Sequence, residues 1–99
     1  MTKTIELLAP AGSMEKLKTA IHFGANAVYL AGKKFGLRAF ADNFTDEQIA
    51  EAVSYAHAHN VKVYVTLNIF ASEADFAELP DYLDVLAAAG VDAVLVSDP

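Results

Sequence analysis

The apolar positions of this chain switch repeatedly between a strand-like and a helix-like period. Residues 5–8 form a short apolar run closed by Ala9-Pro10-Ala11-Gly12, which predicts a strand running into a turn. Ser13 is placed to cap a following helix and Glu15 suits the positive end of its dipole. Met14, Leu17 and Ile21 share one face of that helix, and Gly24 offers the left-handed conformation that stops it. A second short strand is predicted over residues 27–30, then a loop rich in Gly, Lys and Phe over residues 32–44.

Thr45 with Gln48 makes a capping box, and the helix behind it presents Ile49, Ala52, Val53 and Ala56 on one side. Asn60, which tolerates positive φ, is the expected terminator. Residues 61–69 alternate strictly: Val61, Val63, Val65, Leu67 and Ile69 point one way, Lys62, Tyr64, Thr66 and Asn68 the other. Ser72 is expected to open a third helix bearing Phe76, Leu79, Leu83 and Leu86, which Pro80 is expected to kink or divide into two pieces. Gly90 ends it, and residues 93–96 give a fourth strand before Ser97-Asp98-Pro99.

Strand and helix therefore alternate as β-α-β-α-β-α-β, the order that specifies parallel strands with helical crossovers. The terminators Gly24, Asn60 and Gly90 recur about 30–36 residues apart, roughly one β/α unit. Gly24-Ala25-Asn26-Ala27-Val28-Tyr29-Leu30 is echoed by Gly90-Val91-Asp92-Ala93-Val94-Leu95-Val96. A small open doubly wound sheet and half of a TIM-like (β/α)8 barrel both fit. The half-barrel is favoured. No Gly-rich dinucleotide fingerprint follows the first strand, and the third carries Thr66 and Asn68 at its carboxyl end, where barrel sites lie. The chain also stops straight after a strand, leaving a parallel edge uncovered. The expectation is one partial-barrel segment over residues 1–99, truncated from a longer chain or paired with another.

Composition narrows the functions. Hydrophobic residues make up 55% of the 99, ample for a core, with no apolar run approaching a membrane span. The mixed-charge N-terminus lacks the pattern of a secretory signal, so the chain reads as soluble and cytoplasmic, without membrane partners. There is no cysteine, which excludes a disulfide framework, a thiolate zinc site or an iron–sulfur cluster built from this segment. A net charge of −6 repels phosphate backbones, so this segment alone is a poor nucleic-acid binder.

Four segments in order carry a resemblance: Glu6-Leu7-Leu8-Ala9-Pro10-Ala11-Gly12-Ser13, the Gly24 to Gly32 stretch, Phe40-Ala41-Asp42-Asn43-Phe44, and Tyr64-Val65-Thr66-Leu67-Asn68. Together they resemble the start of the collagenase-like peptidases of family U-32. That resemblance implies a barrel continuing past Pro99 and, for the intact protein, a protease acting on peptides. Other members of the family take part in hydroxylation of RNA or of quinone precursors. The resemblance implies for these an iron–sulfur cluster on downstream cysteines and, for the RNA members, an RNA substrate. A third reading is a non-enzymatic half-barrel acting by association. The resemblance itself implies no nucleophile at any numbered position of this chain, and the catalytic residues stay unassigned.

The residues themselves suggest substrate contacts at the barrel mouth. Asn68 offers an amide to a carbonyl or hydroxyl, as readily as to loop backbone. Arg38, flanked by Phe35 and Phe40, suits a carboxylate, a phosphate or a stacked base. Ser97 and Asp98 end the fourth strand; Asp98 reads first as a turn residue before Pro99 and second as a general base or metal ligand. Ser13 reads first as a helix cap and second as an anion contact or nucleophile. His57 and His59 lie two apart on a helix and, like His22, make no metal pair. The unpaired first and fourth strands are expected to drive the isolated segment into a homo-oligomer.

Overall fold

A computed structural model describes residues 7–32, 44–68 and 73–97. Seven elements follow in the expected order: β1 (Leu8–Pro10), α1 (Met14–His22), β2 (Ala27–Ala31), α2 (Asp46–Ala58), β3 (Lys62–Asn68), α3 (Glu73–Ala89) and β4 (Ala93–Ser97). The four strands form one all-parallel sheet in the order β1-β2-β3-β4. Each strand thus lies beside its neighbour in sequence, with a helix crossing between them.

The helix boundaries follow from local chemistry. Ser13 caps α1 by accepting from the Lys16 N–H at 3.2 Å. Thr45 and Gln48 close the capping box of α2 in both directions, at 3.1 and 2.9 Å. All three helices end alike. Gly24, Asn60 and Gly90 take φ of 96°, 60° and 89°. The N–H one residue further on, in Ala25, Val61 and Val91, reaches back to the carbonyls of Ala20, Ala56 and Leu86. That is the Schellman closure, in which one left-handed residue lets the chain turn from helix into strand. Ala25 and Val61 then bury themselves beneath the helix they terminate.

The core lies on one side of the sheet. Val28, Leu30, Val63, Val65 and Leu67 meet Leu17 of α1, Ile49, Ala52, Val53 and Ala56 of α2, and Tyr82 and Leu86 of α3. The alternation expected in β3 holds, with Lys62 exposed and Tyr64 and Thr66 half-buried on the other side.

Three expectations need correction. β1 runs through Ala9 and Pro10 rather than ending before them. Proline lacks a donor, but β1 pairs on one side only, where an edge strand tolerates it. Pro80 lies inside α3, which continues unbroken from Glu73 to Ala89. Pro80 is exposed, so its ring takes no place in the core that the rest of α3 packs against. The inward face of α3 is centred on Tyr82 and Leu86, 2% and 1% exposed, whereas Leu83 is 39% exposed. Ile5, Ile69 and Ser72 lie outside the described residues, as does nearly all of the loop expected over residues 32–44.

The sequence echo has a structural cause. Asn26 donates its N–H to the Leu7 carbonyl at 2.9 Å and accepts the Leu7 N–H on its side-chain oxygen at 2.8 Å. Asp92 does the same to Val63, at 2.9 and 2.7 Å. Each residue clamps the start of the preceding strand. His57 adds a 2.7 Å contact from Nε2 to the same Asp92 oxygen.

Candidate functional site

At the carboxyl ends of β1–β3 the backbone carbonyls of β2 are claimed one after another from three directions. The Ala11 N–H donates to Tyr29 at 2.9 Å, the Thr66 hydroxyl to Leu30 at 3.3 Å, and the Phe44 N–H to Ala31 at 2.9 Å. These bonds pin the turn after β1, the end of β3 and the approach to α2 around the tip of β2.

They leave a cleft of about 190 Å³ lined by Pro10, Ala11, Gly12, Tyr29, Leu30, Ala31 and Thr66. Ala11 and Leu30 are buried, while Tyr29, Ala31 and Thr66 are half-buried and face the opening. The walls are thus mostly apolar, with one phenol ring and one hydroxyl. The position agrees with the rule that parallel α/β sheets bind ligands beyond the carboxyl ends of their strands. The Lys16 side chain lies beside Gly12, its Nζ 3.7 Å from where a Cβ on Gly12 would lie.

Gly32, just past the end of β2, is held by packing. A Cβ there would collide with the Tyr82 hydroxyl and stand 3.2 Å from Ile49. Burial, assisted by the charge of Asp46, pushes the Tyr82 phenol up to about 12. Its hydroxyl therefore keeps its proton at neutral pH.

The residues expected at the mouth fare differently. Asn68 and Ser97 are register partners at the ends of β3 and β4, so the fold brings their backbones together; their side chains lie outside the described set. Ser13 is the α1 cap, the first of its two readings. Arg38 and Asp98 fall outside the described residues. Thr66 lies where its place at the carboxyl end of the third strand put it, whereas Tyr29 has no such signal in the sequence. Tyr29 sits in an apolar run that reads as buried on both faces, and only the register with β1 and β3 reveals its exposure to a cleft. Among the described residues, no group of three or more His, Asp or Glu side chains is placed to hold a metal, and no helix is long and apolar enough to cross a membrane.

Peptidase family U32 matches residues 12–99. The chain belongs to that family. Among its U32 relatives, the tRNA hydroxylation protein P1 of Bacillus subtilis is 52% identical over 99 residues, covering 100% of this chain and 24% of the relative. An uncharacterized protease of Methanocaldococcus jannaschii, MJ0090, is 46% identical over 98 residues, covering 99% of this chain and 24% of its own length. The chain therefore spans about a quarter of these relatives. The solved structure of the U32 peptidase Mk0906 superposes with a TM-score of 0.72 at 18% identity, covering 100% of this chain and 43% of that one. That likeness establishes a U32 fold, and the consecutive parallel order agrees with a partial barrel.

Proposed function

We propose that this chain forms part of the substrate-binding mouth of an RNA-hydroxylation protein of family U32. The observation that carries the reading is the 52% identity, over the whole of this chain, to a tRNA hydroxylation protein. The cleft supports it. Its lining joins apolar walls to an aromatic ring and a hydroxyl, a set suited to holding a flat, polar-edged base. No carboxylate or histidine is among the described lining residues, so the cleft offers binding and orientation.

The net charge of −6 means that recognition here draws on stacking and hydrogen bonds more than on phosphate attraction. The family implies an iron–sulfur cluster for hydroxylation, but this chain has no cysteine to hold one. Its residues do not fit that group. Acting on RNA, the protein would work in the cytoplasm.

Proteolysis is the second reading, favoured by the 46% identity to a protein named as a protease. Deletion of the gene followed by mass spectrometry of nucleosides from tRNA and rRNA separates the two. Loss of a hydroxylated nucleoside, restored by complementation, is the expected result. Unchanged nucleosides together with loss of a peptide-cleaving activity would establish the protease instead.

A further inference from the structure

We infer that two copies of this chain close one eight-stranded barrel, β4 of each pairing with β1 of the other, and that the mouth cleft is completed by the end of the partner copy's β4. The inference concerns assembly and holds whichever substrate the mouth takes.

Exposed apolar residues mark both seams. β1 and β4 each pair on one side only. Leu7, Leu8 and Phe23 are exposed at the β1 end of the sheet, and Leu83, Leu95 and Val96 at the β4 end. The helices agree with this division, because successive helical residues turn by about 100°. Lys18, next after the inward Leu17, faces α2, where its Nζ lies 5.2 Å from the centre of the Tyr55 ring. Leu83 follows the inward Tyr82 in the same way, so it faces past β4 and away from α2. Phe23 is turned to the opposite side of α1 from Lys18, past β1.

Charge decides which edges meet. Six of the seven Lys and Arg precede residue 42, whereas eleven of the thirteen Asp and Glu come from there onward. Lys16 and Lys18 are exposed on α1. Glu78, Asp81 and Asp84 are exposed on α3, which carries no Lys, Arg or His. Pairing β4 with β4 of another copy would set acid against acid. Pairing β4 with β1 sets the acidic edge beside the basic one. A two-fold axis repeats that contact, and neither copy keeps an open edge.

Register sets the fit. It runs level from Pro10 through Tyr29 and Tyr64 to Ala93. A parallel eight-stranded barrel has a shear of about eight residues, hence about four for each half. Pro10 of one copy then lies opposite Ser97 of the other, and Leu8 opposite Leu95. The cleft is lined by Pro10 on its β1 side and, among the described residues, by none of β4. The partner's strand supplies that wall.

The test uses the 99-residue chain, whose lack of cysteine lets introduced thiols act alone. Sedimentation equilibrium is expected to give twice the 10.6 kDa chain mass. Leu8→Cys chains mixed with Leu95→Cys chains should form a mixed disulfide under mild oxidation, and neither variant should form one alone. Phe23→Lys and Leu83→Lys should each weaken the dimer by about tenfold or more. Val85→Lys adds the same charge on the other flank of α3 and should leave the dimer unchanged. Phe23 is 78% exposed in the single copy, so its replacement spares the fold, which circular dichroism checks. The Gly12 amide should shift on dilution as the dimer is lost.

A monomer at every concentration would overturn the inference and assign both edges to a different polypeptide. Masses that climb without limit would overturn it in favour of an open string of copies. A disulfide in Leu95→Cys alone would overturn it in favour of β4 pairing with β4. A dimer indifferent to both Phe23→Lys and Leu83→Lys would place the contact elsewhere. None of these outcomes touches the RNA reading, which the nucleosides of the deletion strain decide.

Discussion

Asn26 and Asp92 are counterparts: each follows a left-handed glycine by two residues, and each closes a reciprocal pair of hydrogen bonds with the preceding strand. The clamp on β1 is neutral. The clamp on β3 is charged and is shared with His57, which ties the end of α2 to the start of β4.

The two clamps should differ in strength. Asn26→Ala removes one exposed hydrogen bond and is expected to cost about 0.5–1.5 kcal/mol. Asp92→Ala strips the half-buried Val63 N–H of its charged acceptor and is expected to cost about 1.5–3 kcal/mol, towards the low end because the carboxylate is partly solvated. Urea unfolding of the two variants checks the order. Equal losses would mean that the charge of Asp92 adds nothing.

Acid should weaken the second clamp alone. Partial burial pushes the Asp92 carboxyl up. The hydrogen bonds from His57 and the Val63 N–H, with the charges of His57 and Lys62, outweigh it and hold the group below its ordinary 3.8. A depressed carboxyl contributes stability above its unfolded value and loses it as pH falls through the folded one. Asp92→Asn is therefore expected to flatten the stability curve below about pH 4, measured by thermal unfolding at stepped pH, while Asn26→Asp should not.

Gly32 and Tyr82 should be coupled. Gly32→Ala drives a methyl into the Tyr82 hydroxyl and is expected to cost about 1–3 kcal/mol as overpacking. Tyr82→Phe removes that hydroxyl and should recover part of the loss in the double variant, a non-additivity that a double-mutant cycle measures. Because the buried phenol is raised from 10.0 to about 12, wild-type stability should also fall as pH climbs through that interval, and Tyr82→Phe should lessen the fall.

Much of this fold was legible in the sequence, and the reasons are local. The inward face of α2, its capping box and the three terminators follow from side-chain periodicity and left-handed tolerance alone. Tyr82 was missed because tyrosine is ambivalent about burial, and the neighbouring Leu83 satisfied the same helical spacing. Pro80 misled because its cost depends on whether its face is solvated, which only packing decides. In the site, Ser13 was legible as a cap. Tyr29 was not legible as a contact, because facing a cleft depends on register with strands distant in sequence.

The isolated chain should self-associate. Leu7 and Leu8 beside the β1 edge, Leu95 and Val96 on β4, and Leu83 and Val85 on α3 are all exposed. Apolar surface at open sheet edges favours association. Light scattering is expected to give a mass above the 10.6 kDa monomer, and Val96→Lys should lower it. A monomer at high concentration would show that these edges are adequately protected as they stand.

The consecutive order of the strands also bears on how the chain acquires its shape. No strand waits for a partner more than one crossover away, so the entropic cost of each closure is small. The segment can assemble stepwise from its amino end as it leaves the ribosome, each new β/α unit adding to an ordered template. Within the segment the Asn26 clamp would form before the Asp92 clamp. Defects in the first would then surface mainly in the folding rate, and defects in the second mainly in the unfolding rate.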